Sequence, residues 1–174
     1  MDSSEAIALK TLLMEQPVAA LATLHQDEPA VSMVPFALLP DGTGLVIHVS
    51  RLAAHTSDML AHPGVGLLVT GPPEAAPTPL ALPRVSFQGQ ARPCAPESCD
   101  YQQARAAYLA KLPEAEELFA LPDFSLFVIK PASGRYVAGF GRAMALTAEG
   151  LRAVLASQME ENGPSASGRI PGAR

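Results

Sequence analysis

The chain has no tryptophan, only two cysteines among 174 residues, and an aromatic content of 5%. Stacking platforms for bases are therefore scarce. With 12 basic against 17 acidic residues and a net charge of −5 there is no basic stripe either, so nucleic acid is not expected as a ligand. No apolar run approaches the roughly 18 residues a membrane span requires. Met1-Asp2-Ser3-Ser4-Glu5 lacks the basic start and apolar run of a signal peptide, so a cytoplasmic protein without membrane contact is expected. Cys94 and Cys99 lie five apart among prolines; in that compartment they read as thiols, and no role is assigned to them. Histidine is sparse too, with none after His62, and no histidine pair has metal-ligand spacing: His55 and His62 stand about 10 Å apart along a helix.

What is present is a series of short apolar segments punctuated by turn residues. Ala6, Leu9 and Leu13 recur at helical spacing over residues 4–15, with Ser3 or Ser4 available as a cap and Pro17 as a stop. Residues 18–24 and 30–39 read as strands around the polar turn 25–28, and residues 45–50 as a third strand after Asp41-Gly42-Thr43-Gly44. A short helix is predicted over 52–61, ended by His62-Pro63-Gly64, and a buried strand over 65–70. Residues 71–83 contain five prolines and must be a surface excursion or lid.

Residues 84–92 alternate with a period of two, which marks an antiparallel strand with Arg84, Ser86, Gln88 and Gln90 on one wet or ligand-facing side. Helices over 98–112 and 114–119 precede strands over 124–130 and 135–146, joined through Pro131-Ala132-Ser133-Gly134. Thr147 caps a last helix. Six or seven strands at hairpin spacing with a few short helices make a mainly β (α+β) protein, an antiparallel barrel with helices packed outside. Residues 1–160 form one domain, and the Gly, Pro and Ser content of 161–174 predicts a disordered tail.

Three segments carry candidate chemistry. At His48–Thr56 a strand passes almost directly into a helix, whose free amides attract an anion, while Ser50, His55 and Thr56 add donors and Arg51 lies four residues before His55. The competing reading makes Arg51, His55, Asp58 and His62 an ordinary solvated stripe opposite Leu52, Met59 and Leu60. Arg84 heads a row of hydrogen-bonding residues that either lines a cofactor or faces solvent. Gly139-Phe140-Gly141 lacks the third glycine of a dinucleotide fingerprint and lies within a strand pattern; it either lets something flat approach or bends the barrel.

Taken in order, several motifs resemble the flavin-binding split-barrel proteins related to pyridoxamine 5′-phosphate oxidase, and within them the haem-utilisation branch. They are Pro17–Thr23, Ser32–Ala37, Ser50–Thr56, His62-Pro63, Arg84–Gly89 and Gly139–Ala143, together spanning residues 5–160. The resemblance implies a split β-barrel with peripheral helices and a homodimer holding flavin mononucleotide (FMN) between two barrels. Val34 would lie along the flavin ring, Ser50, His55 and Thr56 would meet phosphate and ribityl chain, and Arg84 would reach the cofactor. The implied activity is an FMN-dependent oxidoreductase acting on a small molecule, with Arg142 steering an anionic substrate. The alternative is a non-enzymatic haem or tetrapyrrole binder using the same cleft.

The chain also departs from the family. The arginine that the vitamin B6 oxidases carry near the start of the second strand is replaced by the Ser32 region, and their C-terminal arginine–histidine substrate motif is absent, which speaks against that reaction. The C-terminal histidine that ligates iron in haem-degrading members has no counterpart here. Asp58 stands where the haem branch usually carries asparagine.

Overall fold

The computed structural model describes residues 1–156; the expected tail, residues 161–174, lies outside them. The element order is α1 (Ser3–Glu15), β1 (Val18–His25), β2 (Glu28–Pro35), β3 (Ala37–Leu38), β4 (Leu45–Ser50), α2 (Ala54–Ala61), β5 (Gly64–Thr70), β6 (Arg84–Cys94), α3 (Tyr101–Lys111), β7 (Phe124–Gly139), β8 (Arg142–Thr147) and α4 (Ala148–Ala156). The strands form one antiparallel sheet in the order β2-β1-β5-β6-β7-β4-β3, with β8 also on β7. The ends of that order are not hydrogen-bonded to each other, so the barrel is split, with the helices outside it.

The split originates in one expected strand. Residues 30–39 do not run as a single strand: β2 ends at Pro35, the Phe36 amide turns back to the Pro17 carbonyl at 3.2 Å, and Ala37–Leu38 pairs with β4 instead. Proline lacks the N–H needed to continue a ladder, so the chain changes partner there. The turn before β2 is tight, with Gln26 (φ 52°) and Asp27 (φ 67°) both left-handed, the twist that suits a two-residue hairpin.

Residues 131–134 are not a connection. β7 runs unbroken for 16 residues, pairing with β6 along one edge and with β4 and then β8 along the other. Pro131 and Ala132 are absorbed by a bulge, since Gln88 faces Ser133 while Gly89 faces Pro131. Gly89 makes this possible: a Cβ there would lie 2.5 Å from the Lys130 carbonyl oxygen. The reversal comes later, at Phe140-Gly141, where Gly141 takes φ 75°. That settles Gly139-Phe140-Gly141 as a turn.

Helix starts also shift. Asp2, not Ser3 or Ser4, caps α1, because from there its carboxylate takes the Glu5 amide (2.9 Å) while Glu5 reaches back to the Asp2 amide (2.9 Å). Residues 113–120 wind as a 3-10 helix rather than an α-helix. The cap at Thr147 forms as expected, its hydroxyl accepting the Gly150 amide at 3.0 Å. The proline-rich stretch makes two 3-10 turns above a base closed by the Gly71 amide on the Pro83 carbonyl (2.7 Å).

The main core fills the barrel with Leu21, Phe36, Ile47, Val69, Val85, Phe87 and Ile129, capped by Leu9 and Leu13 of α1 and by α4. A second cluster packs α3 and the 3-10 helix onto β4 and β7 through Val46, Tyr108, Leu126 and Val128. β6 obeys the expected alternation, with Val85, Phe87, Gly89 and Ala91 buried and Ser86, Gln88 and Gln90 outward. Among the described residues no helix is long and apolar enough to cross a membrane.

Candidate functional site

The β4–α2 turn brings Ser50, His55 and Thr56 together, as their proximity in sequence requires. Its hydroxyls and amides are largely spent inside the turn. Ser50 Oγ donates to Asp123 Oδ2 (2.6 Å) and accepts the Leu52 amide (3.1 Å); Thr56 Oγ1 donates to the Ser50 carbonyl (2.7 Å). The Ala53 and Thr56 amides bond to the Ser50 and Ala53 carbonyls. Arg51 is turned away, its guanidinium on the Pro122 carbonyl. Of the expected donors, His55 keeps an unspent atom: its Nε2 is buried with no hydrogen-bond partner. Burial lowers the His55 pKa, and the nearby Asp58 carboxylate partly opposes that.

The stripe reading of α2 holds only in part. Met59 is buried and Arg51 and His62 are exposed as it required, but Leu52 and Leu60 are exposed too, and Asp58 is buried against the barrel together with Thr56. Asp58 reaches the end of β1, where Thr23 Oγ1 donates to Oδ2 (2.8 Å) and His25 Nδ1 lies 2.8 Å from Oδ1. Hydrogen bonds from His25 and Thr23 hold the Asp58 carboxyl below the usual carboxylate range, against the cost of burial. This trio escaped the sequence reading, in which His25 was a turn residue. Only the i, i+2 spacing of Thr23 and His25 hinted at a shared face; Asp58, 33 residues further on, gave no local signal.

Val34 is buried in the main core, and its strand neighbours Val31 and Met33 point outward instead. They belong to a second feature, the outer face of β2-β1-β5-β6-β7. Here a cleft of about 550 Å³ is floored by small and apolar side chains, among them Ala20, Ala22, Val31, Gly66 and Leu68. It adjoins a second cleft, of about 430 Å³, lined by Arg84, Arg135, Arg142, Gly139 and Phe140; Arg135 lines both. Arg84 and Arg142 are therefore brought together, with Arg135 added, while no residue of the β4–α2 turn lines either cleft in the single chain. Arg84 Nη1 donates to the Leu80 and Leu82 carbonyls at 3.3 and 3.0 Å. Arg142 pairs with Glu5, with Asp2 at 4.0 Å. An apolar floor running into a cationic end suits a flat amphiphile that carries acid groups.

The profile of the pyridoxamine 5′-phosphate oxidase family matches residues 6–138. The chain belongs to that family. Within it, the chain is 37% identical over 138 residues to the non-canonical heme oxygenase HOZ of Arabidopsis thaliana chloroplasts, covering 78% of this chain but 40% of HOZ. It is 28% identical over 145 residues to heme oxygenase HutZ of Vibrio cholerae, covering 82% and 81%. A heme binding protein from Mycobacterium smegmatis shares the fold with a TM-score of 0.77 and 32% identity, over 88% of this chain and 62% of that one. The chain thus spans well under half of HOZ and less than two thirds of the mycobacterial protein. These relatives are consistent with the resemblance to the haem-utilisation branch that its motifs carry.

Proposed function

We propose that this protein binds haem, in the cleft on the outer sheet face, as a haem-utilisation member of its family. The observation that carries this is the meeting of the two clefts at Arg135. The apolar floor of Ala20, Ala22, Gly66 and Leu68 fits a porphyrin plane, and Arg84, Arg135 and Arg142 stand where propionates would need cations. The named relatives support the same ligand. Bound haem would supply iron redox and oxygen chemistry. The chain's own part is to shield one porphyrin face from water and anchor the acid groups.

A single sheet face leaves the other side of the ligand open. Val31, Met33 and Leu68 are exposed on it, and we propose that a second copy covers them in a homodimer. Sedimentation or light scattering at micromolar concentration checks this; a monomer with and without hemin overturns it.

The earlier expectation of an FMN oxidoreductase stands as the second reading. The unpartnered His55 Nε2 favours it, because a phosphate oxygen would satisfy that atom. The Asp123 carboxylate beside Ser50 opposes it, since it would repel a phosphate approaching that hydroxyl. Separate titrations with hemin and FMN decide. Haem binding predicts a Soret band that saturates at one equivalent per chain or per dimer half, with little quenching of added FMN. Protein that is yellow as purified, releases FMN on denaturation and leaves hemin free would overturn the proposal in favour of the flavin.

A further inference from the structure

We propose that the hollow between α1, β3, α3 and α4 binds a small amphipathic carboxylate, one acid group on an apolar body, held by Lys10 and Lys111. The site is independent of the haem reading: no residue lining it lines either cleft on the outer sheet face. Its volume is about 500 Å³, within the roughly 300–1,000 Å³ of small-molecule sites. Met14, Leu38, Leu39, Ala107 and Leu155 make its wall apolar, and among the described residues Lys10 and Lys111 are its only charged lining.

The lysines are what an apolar hollow does not explain. A lysine at a protein surface ordinarily lays its stem on apolar neighbours and carries its ammonium out to water. Lys111 does the opposite. Its Nζ stands 3.7 Å from the ring centroid of Phe36, a core side chain with no exposure, and donates to the Leu13 carbonyl at 2.9 Å. Lys10 Nζ donates to the Leu155 carbonyl at 3.1 Å. An ammonium has three donors. Among the described residues each of these two has one hydrogen-bond acceptor and no carboxylate within ion-pair reach. That holds in a chain whose acids outnumber its bases by 17 to 12. Burial pushes the Lys111 pKa down to about 8, as expected of a cation without a counter-charge.

The simpler role is to cap the last turns of α1 and α4, where Leu13 and Leu155 stand. Capping accounts for one donor on each lysine. It does not account for a cavity left beside them, nor for an ammonium drawn onto Phe36, since a cap forms equally well from the surface. A carboxylate accounts for both. Its oxygens take the remaining donors, its apolar body covers Leu38 and Leu39, and the partly desolvated charge pair is stronger there than in water.

The test titrates the full chain with sodium decanoate by isothermal calorimetry, with decanol as the uncharged analogue. Wild-type protein should take up decanoate and prefer it to decanol by about tenfold. Lys111→Met keeps the side chain's bulk without its charge; it should weaken decanoate about tenfold, leave decanol unchanged and so erase the preference. Ala107→Trp fills the hollow from the half-buried face of α3 and should abolish binding of both, with circular dichroism unchanged. Arg84→Gln with Arg135→Gln should leave decanoate binding as it is, because those cations line the other cleft. No uptake by wild-type protein, or equal affinity for decanoate and decanol, would overturn the proposal. So would decanoate binding that is lost in the arginine variant and kept in Lys111→Met. A zero-length crosslink from Lys111 to Glu160 or Glu161 that decanoate does not diminish would give the hollow to the chain's own C-terminal residues, and overturn it likewise.

Discussion

Consider the effect of acid on His48, the most buried histidine of the chain. It projects from β4 between Phe119, stacked at 3.9 Å and 9°, the edge of Tyr108 at 5.8 Å and Phe124 at 5.2 Å. Its Nδ1 has no partner, and burial pushes its pKa from 6.5 down to about 4. The unfolded chain therefore takes up this proton first. The stabilisation from the neutral ring is complete above about pH 6.5, erodes as the pH falls, and is gone below about pH 4. At ~1.36 kcal/mol per pH unit the full loss is roughly 3 kcal/mol, a large part of a typical domain's stability.

His48→Phe keeps the stack and removes the titration. Urea unfolding of both proteins from about pH 7 to about pH 4 isolates the effect, because every other acid-sensitive group cancels in the difference. The variant should be at least as stable at neutral pH, and its advantage should grow by roughly 3 kcal/mol toward pH 4. Two curves that stay parallel across that range would refute the reasoning, and with it the sealed aromatic box around His48.

Other consequences are as direct. Because its hydrogen bonds depress Asp58, the stability it contributes is present above the usual carboxylate value and lost as pH falls through the lowered one; thermal scans of Asp58→Asn should show a flatter decline below about pH 4 than wild type. Gly89→Ala drives a methyl into the Lys130 carbonyl oxygen and should cost more than about 2 kcal/mol in urea unfolding, by undoing the β6–β7 bulge. Arg84→Gln combined with Arg135→Gln removes two cations from the proposed propionate end and should weaken hemin binding roughly tenfold, with folding unchanged by circular dichroism. Unaltered hemin affinity in that double variant would move the acid groups elsewhere.

Local rules made much of this fold legible. The alternation of Val85, Phe87, Gly89 and Ala91 against Ser86, Gln88 and Gln90 identified β6 and its wet side, because a pleated strand sends successive side chains to opposite faces. The polar turn at 25–28 and the Thr147 cap are likewise short-range chemistry. Pro131 misled for the same reason: read locally it ends a strand, whereas in the sheet a bulge against Gly89 accommodates it.

For the candidate site, the ordered motifs were enough to identify the family and to single out Arg84 and Arg142. Their convergence, and the company of Arg135, depend on β6, β7 and β8 lying side by side. Asp58 shows the limit most clearly. Helical spacing put it on a polar stripe, but the face of α2 that turns inward was chosen by what waited on the barrel. Thr23 and His25 supplied two hydrogen bonds for a buried carboxylate, and Leu52 and Leu60 were left in solvent. The sequence by itself determined strand alternation, turns, caps and kinship, since each rests on neighbours within a few residues. Which distant groups share a cleft or a hydrogen bond was decided only by the tertiary structure, where long-range pairing and the cost of an unsatisfied buried charge settle the matter together.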